Sequence, residues 1–224
     1  MSFYDEEQIE CIVESDDTDE YIDTLIERLD EEIISKEEFD VLTEGVENNR
    51  VILRMISKRV SQYKKSVKKI KYYNKKKEFE KARREIRIAC NTIDEIYKEL
   101  DKIPDTFDDA LLSRVPQLLK GLSNTEIIEM MREIDLLDGE NKTYHTSPNV
   151  SYRLSKELDD MSRKLSKGES FNRYRYKLEH ELKDEKKLLR ELETKINKHE
   201  RRVKKTEKMV RKMKRIHSKI FSRK

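Results

Sequence analysis

The longest run of patterned apolar positions lies at the end of the chain. Phe171 to Lys224 contains no Pro and no Gly, and hydrophobic residues return every seven positions. One series reads Leu182, Leu189, Ile196, Val203, Val210 and then His217; a second, offset by three, reads Leu178, Glu185, Leu192, His199, Thr206, Met213 and Ile220. Alternating steps of three and four over this length predict one long helix, about 80 Å at ~1.5 Å per residue, whose seam packs on another helix. With the first series as a and the second as d, the seam consists of Leu178, Leu182, Leu189, Leu192, Ile196, Val203, Val210, Met213 and Ile220. Ile196, Val203 and Val210 are β-branched, which at a suits a parallel two-stranded coil. Glu185, His199 and Thr206 make d too polar to decide the orientation.

Earlier segments repeat the pattern in shorter form. Tyr21, Ile22, Leu25, Ile26 and Leu29 share one face of a helix expected over about Thr18–Ile33. Ser35 with Glu38 forms a capping box that starts a second helix. Gly45, Asn48 and Asn49 can interrupt it. Beyond them Val46, Leu53, Val60 and Val67 recur every seven residues, accompanied by Ile56, Tyr63 and Ile70. A further seam runs Phe79, Ala82, Ile86, Ala89, Ile93, Ile96, Leu100, Ile103, two residues out of phase with the one before it. The slip falls in 71–77 and implies a kink, a local rewinding or a short loop. Pro104 closes this helix.

Residues 104–170 carry closer turn signals: a short helix from Thr106 to about Arg114, Pro116 able to open the next, a capping box at Ser123 and Glu126, and a stop at Gly139. Glu140–Val150 reads as a loop. Leu154, Leu158, Met161 and Leu165 stripe a further helix that stops at Gly168, and Ser170 can cap the last one. Four regions result: an acidic tail (1–17), an acidic helix followed by a long helical segment with a phase break (18–103), a head of short helices (104–170) and a basic helix (171–224). The expected fold is all-α and elongated, with two long coiled-coil-type helices joined by the head. The simplest path makes the long helices antiparallel; a parallel dimer through the last helix is the competing plan.

Composition narrows this further. Of the 224 residues, 43% are charged and 35% hydrophobic, with 4 Gly, 3 Pro and no Trp, which suits striped rods better than a ball. The net charge of +3 conceals blocks. Residues 1–50 hold 19 acids and 3 bases, residues 51–90 are net +12, residues 91–160 net −8 and residues 161–224 net +15. Such blocks imply pairing of opposite charges within or between molecules, or separate partners for each. Cys11 and Cys90 are too far apart for a metal or redox motif, which suggests a reducing compartment. No apolar run reaches the ~18–20 residues of a membrane span, and the acidic start lacks a signal-peptide pattern, so the expected location is inside a cell, or inside a particle assembled there.

Candidate chemistry is sparse. His145, His180, His199 and His217 show no metal-ligand spacing. Those at seam positions, His199 and His217, are expected to fix register and, if buried, to make association pH-sensitive. Acidic pairs such as Asp16-Asp17, Glu31-Glu32 and Asp159-Asp160 point apart on a helix. No phosphate-binding glycine loop or catalytic motif occurs, so no enzyme activity, cofactor, metal or small-molecule substrate is expected. Basic tracts are the strongest remaining signal. Lys64, Lys65, Lys68, Lys69, Lys71, Lys75, Lys76 and Lys77 interleave with Tyr63, Tyr72 and Tyr73. Arg201, Arg202, Lys204, Lys205, Lys208, Arg211, Lys212, Lys214 and Arg215 begin a tail with 12 bases and one acid, Glu207. Phe171, Arg173, Tyr174, Arg175 and Tyr176 form a smaller set. Lys and Arg neutralise phosphates, and Tyr and Arg stack on exposed bases. Lysines flanking a helical seam, or a basic face held for acidic segments, account for the same residues without nucleic acid.

The sequence thus leads to a non-enzymatic scaffold or adaptor that associates, with itself or another helical protein, through helix seams. Its basic end is offered to a polyanion. A nucleic-acid-binding protein is the second reading, and a membrane-surface protein, built on the amphipathic basic tail, the third.

Overall fold

The computed structural model describes residues 18–44, 48–103, 112–122, 125–139 and 149–221, and among these residues every regular element is helical. The elements are α1 Thr18–Asp30, α2 Lys36–Leu42, α3 Asn48–Lys75, α4 Phe79–Asp101, α5 Arg114–Leu119, a 3₁₀ turn Lys120–Leu122, α6 Thr125–Leu137, α7 Asn149–Leu165 and α8 Asn172–Phe221. None is long and apolar enough to cross a membrane. The acidic tail, Pro104, Thr106, the Ser123 cap and residues 140–148 of the expected loop lie outside the described residues; Asn149 and Val150 open α7 instead.

The segment before residue 103 is not one long helix: of the three readings of the slip at 71–77, the fold has the short loop. The phase slip at 71–77 is a chain reversal, and α3 and α4 are two helices of an antiparallel hairpin, with Arg59 paired to Glu95 and Lys69 to Glu85. The apolar stripe changes phase because the chain leaves one helix and enters another. Lys77 makes the turn in the left-handed region (φ 61°). Its N–H donates to the Asn74 carbonyl and the Glu78 N–H to Tyr73, the paired bonds of a Schellman stop. Gly168 (φ 81°) ends α7 in the same way, and Glu32 (φ 57°) follows α1. The Ser35–Glu38 capping box is present, with both reciprocal bonds formed.

α8 runs antiparallel to α4, marked by Arg83–Glu200, Lys186–Asp94 and Arg175–Asp101. Within the region expected as a head, α5 and the 3₁₀ turn after it pack on α7 through Gln117–Ser162 and Lys120–Asp159, and their apolar residues join one core with the long helices. α6 lies between α3 and α8, with Lys71 near Glu129 and Lys195 bonded to Asp135. α3 and α8 are therefore diagonal across a four-helix body. One continuous core includes Ile56, Val67, Ile86, Ile93, Val115, Met130, Met161 and Leu189. A satellite core seats α1 and α2 on the start of α3 through Ile22, Leu25, Ile26, Phe39, Val51 and Met55.

Candidate functional site

The seam residues divide into two groups. Leu178, Leu182, Leu189, Leu192 and Ile196 are buried in the body, so their helix partners belong to the same chain. Val203 is half-buried against the edge of that core. Beyond it the pattern continues with nothing of the body over it: every residue from Lys204 to Lys219 is exposed. Met209, Val210, Met213 and Ile216 expose 58%, 45%, 66% and 50% of their surface, large values for apolar side chains. The side chain of Ile220 lies outside the described set. α8 is thus a bundle helix for about three-fifths of its 50 residues and an exposed arm for the rest, about 28 Å at ~1.5 Å per residue.

A cluster at the end of α6 anchors the arm. His199 Nδ1 lies 2.8 Å from Asp138 Oδ1, and Arg202 reaches the other Asp138 oxygen at 3.0 Å. Arg202 also donates to the Asp138 main-chain carbonyl. The His199 ring stands edge-on to Phe79 at 5.8 Å between centroids. Arg83 bridges Glu200 and Asn197, and Lys204 pairs with Glu200 at 2.6 Å. The hydrogen bonds from Lys204 and Arg83 hold the Glu200 carboxyl below the usual range. Polar His199 at a d position therefore has a built environment on neighbouring helices. Asp138, which holds His199 and Arg202, and Asp135, which bonds Lys195, looked in the sequence like any other charges on a helix.

The two basic tracts converge on one end of the molecule. Lys64, Lys65, Lys68 and Lys69 are exposed along the outer face of α3, and Lys75, Lys76 and Lys77 surround the hairpin turn. α8 leaves the body beside that turn. Arg201, Lys205, Lys208, Arg211, Lys212, Lys214 and Arg215 are exposed on the arm. Lys69 is 3.5 Å from Glu85, so it is partly engaged at home. Of the interleaved tyrosines, Tyr63 is buried and Tyr73 half-buried; Tyr72 is 57% exposed with Lys76 over its ring. The smaller aromatic–arginine set does not assemble a surface. Phe171 and Tyr174 are in the core, and Arg175 pairs with Asp101 and Glu179.

Opposite charge gathers at the far end. α1 and α2 present Glu20, Glu31, Glu32, Glu37, Glu38, Asp40 and Glu44 to solvent. Asp23, Glu27 and Asp30 pair with Arg54, Lys58 and Arg59 on the first half of α3. That pairing explains part of the charge-block pattern. It engages the early bases of the 51–90 block and leaves the later lysines facing solvent.

Glu185 is a buried carboxyl that seam reasoning treated only as an imperfect d residue. It is 2% exposed, accepts a hydrogen bond from the Tyr63 hydroxyl across the core, and its second oxygen has no partner among the described residues. Burial pushes its pKa well above the ordinary carboxylate range. Beside it lies a cavity of ≈20 Å³, about one water in size, walled by Leu119, Leu122, Leu158, Leu178, Leu182 and Glu181. Burial also raises the Cys90 thiol, the opposite of what a reactive cysteine needs. Among the described residues no group of His, Cys, Asp and Glu is placed to hold a metal ion. Compared with protein-family models, curated proteins and solved structures, the chain matches none of them.

Proposed function

We propose that the protein is a non-enzymatic adaptor that binds nucleic acid with the basic end of its helical body. One observation carries this reading. Two lysine- and arginine-rich tracts more than 120 positions apart in the sequence lie at the same end of the molecule, around the α3–α4 turn and on the arm. The body holds the base of the arm through Asp138, His199 and Arg202, which supports an adaptor that presents it. A polyanion along the arm and the α3 stripe would release counterions at each neutralised phosphate. Such binding is fast, weakly sequence-dependent and steeply sensitive to salt. The exposure of Tyr72 among these lysines supports stacking on an unpaired base.

The test compares the intact chain, a version ending at Glu200, and Lys64→Ala/Lys65→Ala/Lys68→Ala, each titrated into labelled duplex and single strands across a salt series. The intact chain is expected to lose affinity in proportion to a power of salt. The shortened chain should lose most of the binding. The triple variant should lower the log–log slope by about 0.9 for each duplex phosphate contact removed. Equal binding by all three versions, or none by the intact chain near physiological salt, overturns the reading.

A further inference from the structure

The arm carries more than charge. In the heptad register that continues from the body, Met209 and Ile216 occupy g, Val210 occupies a, and Met213 occupies d. All four are exposed, forming an apolar face broader than a two-residue seam. Lys205, Lys212 and Lys219 border it on one side and Lys214 on the other. From 203 to 221 there are eight bases and one acid, net +7. The surface therefore fits an acidic segment that also has apolar side chains. Residues 1–17 of this same chain have that chemistry: seven acids, no Lys or Arg, and Phe3, Tyr4, Ile9, Ile12 and Val13.

Reach decides whose residues 1–17 these are. The ion pairs Asp23–Arg54 and Asp30–Arg59 set α1 alongside the start of α3, so Thr18 lies near the level of residue 49. The α3–α4 turn is some 27 residues farther on, about 40 Å at ~1.5 Å per residue, and the arm begins there. Seventeen residues fully stretched span at most about 60 Å, and only about 26 Å as a helix. Within one molecule about two-thirds of that stretched length would go to reaching the base of the arm, leaving about five residues to lie along it. A neighbouring molecule has no such limit.

We propose that the arm of one molecule docks residues 1–17 of a second copy, apolar side chains on the Met209–Val210–Met213–Ile216 face and carboxylates on the bordering lysines. The contact is heterologous, since each molecule carries one donor segment at one end and one acceptor arm at the other. Repetition links copies head to tail. The inference uses the basic end described above but does not require that it bind nucleic acid. It predicts that nucleic acid and assembly compete for the same lysines.

The experiment is sedimentation of the purified chain, free of nucleic acid, at about 50 mM and about 500 mM salt, which brackets the change from weak to strong screening. Three forms are compared: intact, lacking residues 1–17, and Lys205→Glu/Lys212→Glu/Lys214→Glu. A fourth, Met209→Ser/Met213→Ser, keeps the charge and tests the apolar face if the triple variant loses helicity. The intact chain is expected to grow in mass with concentration at low salt and to return to monomer at high salt. Each altered form should stay monomeric alone. The decisive mixture joins the form lacking residues 1–17, which keeps a working arm, with an arm variant that keeps a working donor. It should give a complex of two chains that grows no further. Self-association of the form lacking residues 1–17 would overturn the proposal in favour of arm–arm pairing. A monomeric intact chain at low salt, or a mixture that forms no complex, would overturn it outright. Because no polyanion is present, neither result depends on the outcome of the nucleic-acid titration.

Discussion

Residues 178–199 and 203–220 of α8 share one heptad register, yet the first part is core and the second is surface. Leu189, Leu192 and Ile196 are fully enclosed by α4, α6 and the hairpin, whereas Val210 and Met213, about two and three turns past Val203 at the edge of the core, face solvent. Burial of a large apolar side chain contributes about 1.5–3 kcal/mol, so the first part is what keeps α8 on the body. The second part contributes nothing comparable to the fold and leaves its apolar face exposed. The difference shows that a repeat states what a helix can bury, while its neighbours' lengths decide how much is buried. α3 and α4 end at their shared turn, and α8 does not.

The strongest way to break this contrast is truncation of side chains in each half. Leu189→Ala and Ile196→Ala should each lower unfolding stability by about 2–5 kcal/mol, because each opens a cavity in a filled core. Val210→Ala and Met213→Ala should fall within about 0.5 kcal/mol of the parent by urea denaturation. Comparable losses in both halves would mean that the arm is covered within the monomer.

Glu185 interrupts the buried half from inside. Its raised pKa means that, between the ordinary carboxylate range and that raised value, the folded state keeps a proton the unfolded state has released. Stability is therefore fully present below this window and falls as pH rises through it. Tyr63→Phe/Glu185→Leu removes both partners of the cross-core bond together. It should flatten that pH dependence in thermal melts and stabilise the protein at neutral pH by about 1–4 kcal/mol. Glu185→Leu alone should gain less, since it strands the Tyr63 hydroxyl. A pH-independent parent would remove the assignment of a buried neutral carboxyl.

The junction between the halves offers a smaller handle. Asp138→Asn weakens the bonds to His199 and Arg202 and should cost about 1–3 kcal/mol. Hydrogen exchange should show faster opening around residues 199–205 and no change near Leu182. Smallest of all, Lys77→Gly should stabilise the hairpin turn by about 1 kcal/mol, because a side chain in the left-handed region is strained and glycine is not. A destabilised Lys77→Gly melt would show that the lysine side chain, not its backbone angle, matters at the turn.

Several features were legible from local pattern alone. The Ser35–Glu38 box, the Gly139 and Gly168 stops, the apolar face of α1 and the α4 stripe all follow from short-range chemistry, and each appears in the fold. The turn at Lys77 was visible only as a two-residue slip, because a Schellman stop without glycine carries no residue signature. Both basic tracts were readable as charge, but their meeting at one end was not, since it depends on the reversal at that turn. Asp135 and Asp138 were invisible as anchors for the same reason: their partners are about 60 residues away.

The sequence by itself determined that the chain is helical, where apolar faces run, and how charge is divided along it. These depend on periods of three and four and on residue type, which act over one or two turns. Only the tertiary structure decided that the 18–103 segment folds back on itself, that the α8 seam is largely satisfied within the molecule, and that the turns from Lys204 to Lys219 are exposed. Those outcomes depend on which faces meet and where each helix ends relative to its neighbours. A repeat of seven specifies a packing face without specifying what lies across from it.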